Sequence, residues 1–118
     1  MLTTKKLGFV LGAVLLAAPF AASAQEAPKA FNQCRACHII GKNAVGPNLA
    51  GVVGRKAGTA DGFKYSDAMK AGPTWDEASL TKYIGDPKGT VPGNKMMFAG
   101  LKKPEDVAEV IAYLKTLK

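Results

Sequence analysis

The clearest hydrophobic period in the chain lies near its C terminus. Val107, Val110, Ile111, Leu114 and Leu117 recur at three- and four-residue spacing and form one apolar stripe. They predict a helix from Pro104, in the first turn, to about Leu117. A second helix is predicted from Thr74. Thr74 and Glu77 make a T-x-x-E capping box, and Leu80, Tyr83 and Ile84 follow at i, i+3, i+4 until Pro87 stops the run. Two shorter helices are expected, over Pro28–Cys37 with Phe31 on the apolar side, and over Ser66–Ala71 with Ser66 as cap. Between them, Gly41, Gly46, Pro47, Gly51, Gly54, Gly58 and Gly62 break residues 41–62 into loop, and Pro92-Gly93 marks a turn within a second loop over 88–101. No strand can be read. The pattern is all-α, with short helices and long loops, and loops of such length in a compact domain generally serve a function.

The first 24 residues follow a different rule. Lys5 and Lys6 precede an apolar run from Leu7 to Ala22, and Ala22-Ser23-Ala24 is a small-residue cleavage pattern. This order predicts a secretory signal peptide over residues 1–24, cut after Ala24, and a mature domain over 25–118. The alternative is a membrane anchor. The run falls short of the roughly 20 residues needed to span a bilayer, and it contains Pro19. Export by this route implies an oxidising compartment, the periplasm.

A length of 118 residues fits one domain. The formal charge is +7, and removal of Lys5 and Lys6, with no acid, lowers it to +5. A basic balance is compatible with nucleic acid, but an exported protein seldom meets it, and no nucleic-acid module, phosphate-binding loop or Ser-His-Asp set is present. A mature chain this short buries only about two-thirds of its unfolded surface. It is also rich in glycine and poor in large apolar side chains. A buried prosthetic group would supply the missing core.

Cys34-Arg35-Ala36-Cys37-His38 names such a group. The C-x-x-C-H string is a c-type haem attachment motif. Residues i and i+3 share a face of a helical turn, so both sulfurs reach the two vinyl groups of one porphyrin, and His38 is carried under the iron. A thioredoxin-like motif would need a βαβ pattern, which is absent. A zinc site needs four ligands, and two Cys with one His fall short. A disulfide staple would leave His38 unexplained.

His38 is the only histidine, so a second axial ligand must be of another type. A thioether is soft and suits iron that changes oxidation state. Met1 leaves with the signal peptide. Met69 reads as a core filler on a short helix, whereas Met96 and Met97 stand in a loop where a ligand role is more natural.

Pro92-Gly93-Asn94-Lys95-Met96-Met97-Phe98-Ala99-Gly100 resembles the methionine-ligand loop of class I c-type cytochromes, the family of mitochondrial cytochrome c and its soluble bacterial periplasmic relatives. Gly46-Pro47-Asn48-Leu49, Gly54-Arg55-Lys56 and Ile111-Ala112-Tyr113-Leu114 resemble family segments as well, in order and spacing. The resemblance implies the small cytochrome c fold, wrapped around one covalent haem c attached through Cys34 and Cys37. It implies His38 as proximal ligand, with the Pro47 carbonyl accepting its other ring N–H, and Met96 as the opposite ligand. It places Arg55, Tyr65 and Trp75 at a buried haem propionate, Tyr83 near the methionine sulfur and Phe98 beside the exposed haem edge. Met97 falls at a position that is usually apolar, so packing is its expected role. There are departures. Asn94 stands where the family commonly has a threonine, Met69 where many relatives have an asparagine, and Ala27-Pro28 near where the family has a glycine that lets the first and last helices cross closely, so the docking of Tyr113 there is expected to be looser.

The function this implies is electron transfer rather than catalysis. A soluble, monomeric carrier would take one electron from a donor such as a cytochrome bc complex or a dehydrogenase. It would pass it to an acceptor such as an oxidase, a reaction centre or a peroxidase, docking through Lys88, Lys95, Lys102 and Lys103. The alternative class, a haem enzyme or ligand sensor such as a peroxidase or gas-binding cytochrome, needs a displaceable axial ligand and usually a distal acid or base. A second histidine would favour it, and the chain has none.

Overall fold

The structure is a computed structural model that describes residues 26–118, with Gly8 and Gly12 ahead of them. Those two glycines apart, the expected signal segment and its cleavage point lie outside the described residues. A 3-10 turn, Lys29–Phe31, runs straight into α1, Asn32–Arg35. Then come α2 (Asp67–Lys70), α3 (Glu77–Gly85), α4 (Pro87–Thr90) and α5 (Pro104–Lys115). Among the described residues there is no strand, only two isolated bridges, Ile39 with Lys42 and Lys56 with Thr74. No helix among them is long and apolar enough to cross a membrane.

The core is the set of stripes that the spacing predicts. Val107, Val110, Ile111, Leu114 and Leu117 are all buried, and they face Leu80, Tyr83 and Ile84 of α3. Phe31 is buried at the crossing of the first turn with α5, and its ring meets Tyr113 edge-on at 4.9 Å. Aromatic pairs favour such edge-to-face contacts. The contact is made although the first helix is only one turn long.

Three local readings are corrected. The cap of α3 is Asp76, whose Oδ1 accepts from the Ser79 N–H at 2.7 Å. Thr74 does not cap it, because its backbone is committed to the bridge with Lys56. On either side of that bridge the Trp75 N–H donates to the Arg55 carbonyl at 2.9 Å and the Ala57 N–H to the Pro73 carbonyl at 2.8 Å. Trp75 therefore lies in an extended segment and not on a helical face. Pro87 ends α3 but also begins α4. Asp86 terminates one helix and caps the next, its Oδ1 accepting from the Gly89 N–H at 3.1 Å. A proline at the first position of a helix loses no bond, since that N–H has no partner in any case. Leu117 lies past the end of α5, on a chain end held by the Gly51 N–H donating to its carbonyl at 2.9 Å.

Gly100 fixes how the second loop returns to α3. Its φ is +107°, and a Cβ at this position would overlap the carbonyl oxygen of Gly85. Two backbones thus meet with no side chain between them, and the Leu101 N–H then donates to the Ile84 carbonyl at 2.9 Å. Gly51 has a φ of +73° but open space around it. Gly51→Ala should therefore cost only the conformational strain, on the order of 1 kcal/mol. Gly100→Ala should cost clearly more, about 2–4 kcal/mol, because overlap adds to strain. Denaturant unfolding of the two holoprotein variants checks the difference, and equal losses would mean that the Gly85 contact imposes no constraint.

Candidate functional site

The predicted site residues fall into three groups of side chains. The first is built on α1 and the turn after it. The His38 N–H donates to the Cys34 carbonyl at 2.9 Å, completing the helical turn that holds Cys34, Cys37 and His38 together. Cys34 is half-buried and Cys37 exposed, and neither is in a disulfide. Burial pushes the Cys34 thiol above its ordinary value, and the neighbouring Cys37 adds to the shift.

The His38 ring is oriented from behind. Its Nδ1 lies 2.9 Å from the Pro47 carbonyl oxygen, which only accepts, so the ring proton belongs on Nδ1 and the lone pair on Nε2. Burial lowers the pKa of the imidazole, and the bond to Pro47 offsets part of that. The neutral ring that a metal requires is thus the favoured form. Gly46 makes the approach possible. A Cβ there would stand 2.7 Å from Nδ1 and 2.8 Å from Nε2. The Gly46 N–H also donates to the Cys37 carbonyl at 2.8 Å, which locks the loop onto the motif.

The second group is carried by the loop 91–100. The Tyr83 hydroxyl donates to the Met96 sulfur at 3.7 Å, and the Tyr83 ring lies 4.8 Å from that of Trp75. Phe98 and Met96 are half-buried against the core. Asn94, which sequence reasoning treated only as a departure, is the brace of this loop. Its side-chain amide donates to the carbonyls of Pro87 and Val91 at 3.0 and 2.9 Å, and its Oδ1 accepts from the Met96 N–H at 2.8 Å. Met97 is not packed, contrary to the expectation from its position. It is 99% exposed, because the loop alternates sides there and turns Met96 inward. Met69 is half-buried at the edge of the core.

A third group gathers around Arg55, Tyr65 and Asn48. Arg55 donates from Nη1 to the Ala50 carbonyl at 3.3 Å and from Nη2 to the Asn48 carbonyl at 3.0 Å. Its Nε is buried and has no partner. Tyr65 accepts from the Ala60 N–H at 3.0 Å, which leaves its own O–H free to donate. Asn48 is a second residue that pattern reading missed as an organiser. Its Oδ1 accepts from the Gly41 and Ala50 N–H groups, and its own N–H donates to Asn43. An Asn between Pro and Leu in a Gly-rich loop is the available signal for such a turn-former.

The profile of the Cytochrome c family matches residues 24–118. The chain belongs to the cytochrome c family. It is 67% identical over 95 residues to cytochrome c2 iso-2 of Magnetospirillum fulvum, covering 78% of this chain and 99% of that protein. It is 62% identical over 98 residues to cytochrome c2 of Rhodoplanes tepidamans, covering 80% of this chain and all of that one. Among solved structures, cytochrome cH from Methylobacterium extorquens superposes with a TM-score of 0.72 at 57% identity, over 75% of this chain and 92% of that one. This cytochrome binds one haem c covalently, and it is an electron carrier rather than an enzyme. The residues present fit that group. Two cysteines stand unpaired in the attachment motif, the Pro47 carbonyl orients the His38 imidazole through Nδ1, and the buried Arg55 Nε–H has no partner of its own.

The Tyr83 phenol is pushed from 10.0 up to about 12 by burial. The fold favours its protonated form, so its contribution to stability is complete below pH 10 and is lost as the pH rises from 10 toward about 12. Tyr83→Phe should remove that loss. Unfolding of the holoprotein followed across this interval should show a steeper alkaline decline for wild type than for the variant. Parallel declines would mean that Tyr83 does not titrate with folding.

Proposed function

We propose that this cytochrome is a soluble periplasmic carrier of single electrons, with its haem attached through Cys34 and Cys37 and its iron held between His38 and Met96. The observation that carries the ligand pair is that each of these side chains has its own anchor. The Pro47 carbonyl holds the Nδ1 edge of His38, and the Tyr83 hydroxyl and the Asn94 brace hold Met96. The haem supplies a one-electron ferric–ferrous couple when bound. The rest is the work of the chain. His38 offers Nε2, Met96 offers a soft sulfur that favours the reduced metal, and Arg55, Tyr65 and Trp75 take a propionate out of water. Phe98 covers the haem edge. The leader over residues 1–24 is removed on export, and residues 25–118 act as a monomer.

Docking falls to Lys88, Lys95, Lys102 and Lys103, which flank the methionine loop. All four are exposed, and none is in an ion pair among the described residues. Lys102 is steadied by donating to the Ala99 carbonyl at 2.9 Å, which holds one charge beside the loop. A face of free positive charge attracts an acidic redox partner, and its effect fades as salt shortens the screening length. Donors of the cytochrome bc or dehydrogenase type and acceptors of the oxidase, reaction-centre or peroxidase type are the partners this surface suits.

Changing these four lysines to glutamate should slow second-order electron transfer to an acidic partner by at least about tenfold at low salt. The same charge change at Lys29, Lys64, Lys70 and Lys118 should have a much smaller effect. Stopped-flow rates as a function of ionic strength separate the two. Equal slowing by both sets would leave net charge, not a docking face, as the cause.

A further inference from the structure

Met97 stands out among the large apolar side chains. It is 99% exposed, against 77% for Val45, 45% for Ile39 and 37% for Ile40. The backbone fixes this. The Phe98 N–H donates to the Met96 carbonyl at 3.0 Å, closing a three-residue turn with Met97 at its apex. Asn94 holds the turn from one side through the Met96 N–H. Side chains then alternate. Asn94, Met96 and Phe98 are sheltered, while Lys95, Met97 and Ala99 are exposed. The methionines of the described residues therefore differ sharply in access, with Met69 and Met96 half-buried against the core and Met97 in water. Oxidation of a thioether follows its access to the oxidant.

We propose that Met97 is an oxidation site for peroxides, and that its conversion to the sulfoxide weakens the docking of an acidic redox partner while leaving the Met96 sulfur in place. The docking half of this inference rests on the lysine face proposed above. In the reaction a lone pair of the Met97 sulfur attacks one oxygen of a peroxide. The O–O bond breaks as the S–O bond forms, and the second oxygen leaves as water or an alcohol once protonated. Sulfur gives up two electrons and the peroxide takes them, so no other reagent is needed. The product places a strong dipole on the one apolar tip next to Lys95. A partner seated on that tip would have to strip the sulfoxide of water without offering a donor, and burial of an unmatched polar group opposes association. Methionine sulfoxide reductases reverse the change.

The test uses ferric holoprotein and limiting hydrogen peroxide. Peptide fragmentation by mass spectrometry should find one added oxygen on Met97 well before Met69 or Met96, with the near-red absorption band of the oxidised protein unchanged. The singly oxidised protein should then accept electrons from reduced flavodoxin, a small acidic donor, roughly five- to tenfold more slowly. Its rate with hexaammineruthenium, too small to need a docking face, should not change. Reductase treatment should restore the flavodoxin rate, and Met97→Leu should show no peroxide-dependent slowing. Oxidation of Met69 or Met96 as early as Met97 would overturn the site. A flavodoxin rate unaffected by the sulfoxide would overturn its effect on docking. Failure of the lysine face itself would show separately, as a rate insensitive to salt and to the four lysine substitutions.

Discussion

The 2.9 Å contact between the His38 ring and the Pro47 carbonyl is the interaction on which the site is hung. It decides which ring nitrogen keeps its proton, and so which one is free to bind a metal. The surrounding sequence serves that contact. Gly46 has no side chain, so the backbone can lie against the imidazole, and its N–H ties the loop back to Cys37. Asn48 folds the next residues through three hydrogen bonds and leaves its carbonyl to Arg55. A chain of backbone contacts thus runs from the attachment motif to the buried guanidinium, with no regular secondary structure along it.

The loop over 91–100 is held differently. α3 supplies Tyr83, and the short α4 sets where the methionine loop departs. Asn94 spans the gap by bonding to two carbonyls and to the Met96 N–H. The close passage of Gly100 over Gly85 returns the loop to the core. Helices here act mainly as fixed posts for two loops. The buried side chains form one modest cluster with no buried polar residue in it. In a domain this small, such a cluster leaves little margin over the entropy of ordering long loops. A covalently bound haem adds apolar surface to such a core, so its attachment would bear on folding as well as on function.

Much of this was legible in the chain. The apolar stripe of α5, the Ser66 cap and the helical face of α3 follow from spacing alone, because burial of one face is what spacing encodes. The attachment motif, read together with the export signal, names its cofactor. Other features depend on partners far away in sequence. Thr74 has the composition of a cap, yet a backbone pairing with Lys56 claims it, and Asp76 takes over. Pro87 reads as a stop, although an Asp before a Pro can also start a helix. Which of two adjacent methionines faces inward cannot be read from residue type. It is set by a turn that Asn94 pins, and a family position that is usually apolar is here turned out into water.

Met96 and His38 are the proposed ligand pair, and they would hold the haem iron between them. A methionine–iron bond gives a weak absorption band in the near red of the oxidised protein, and the band disappears when the sulfur is removed. In Met96→Ala the band should be lost, carbon monoxide should bind the reduced protein, and the reduction potential should fall, since the ligand that favours reduced iron is gone. Met97→Leu and Met69→Leu should keep the band and move the potential only modestly. A band that survives in Met96→Ala and vanishes in Met97→Leu would contradict the account.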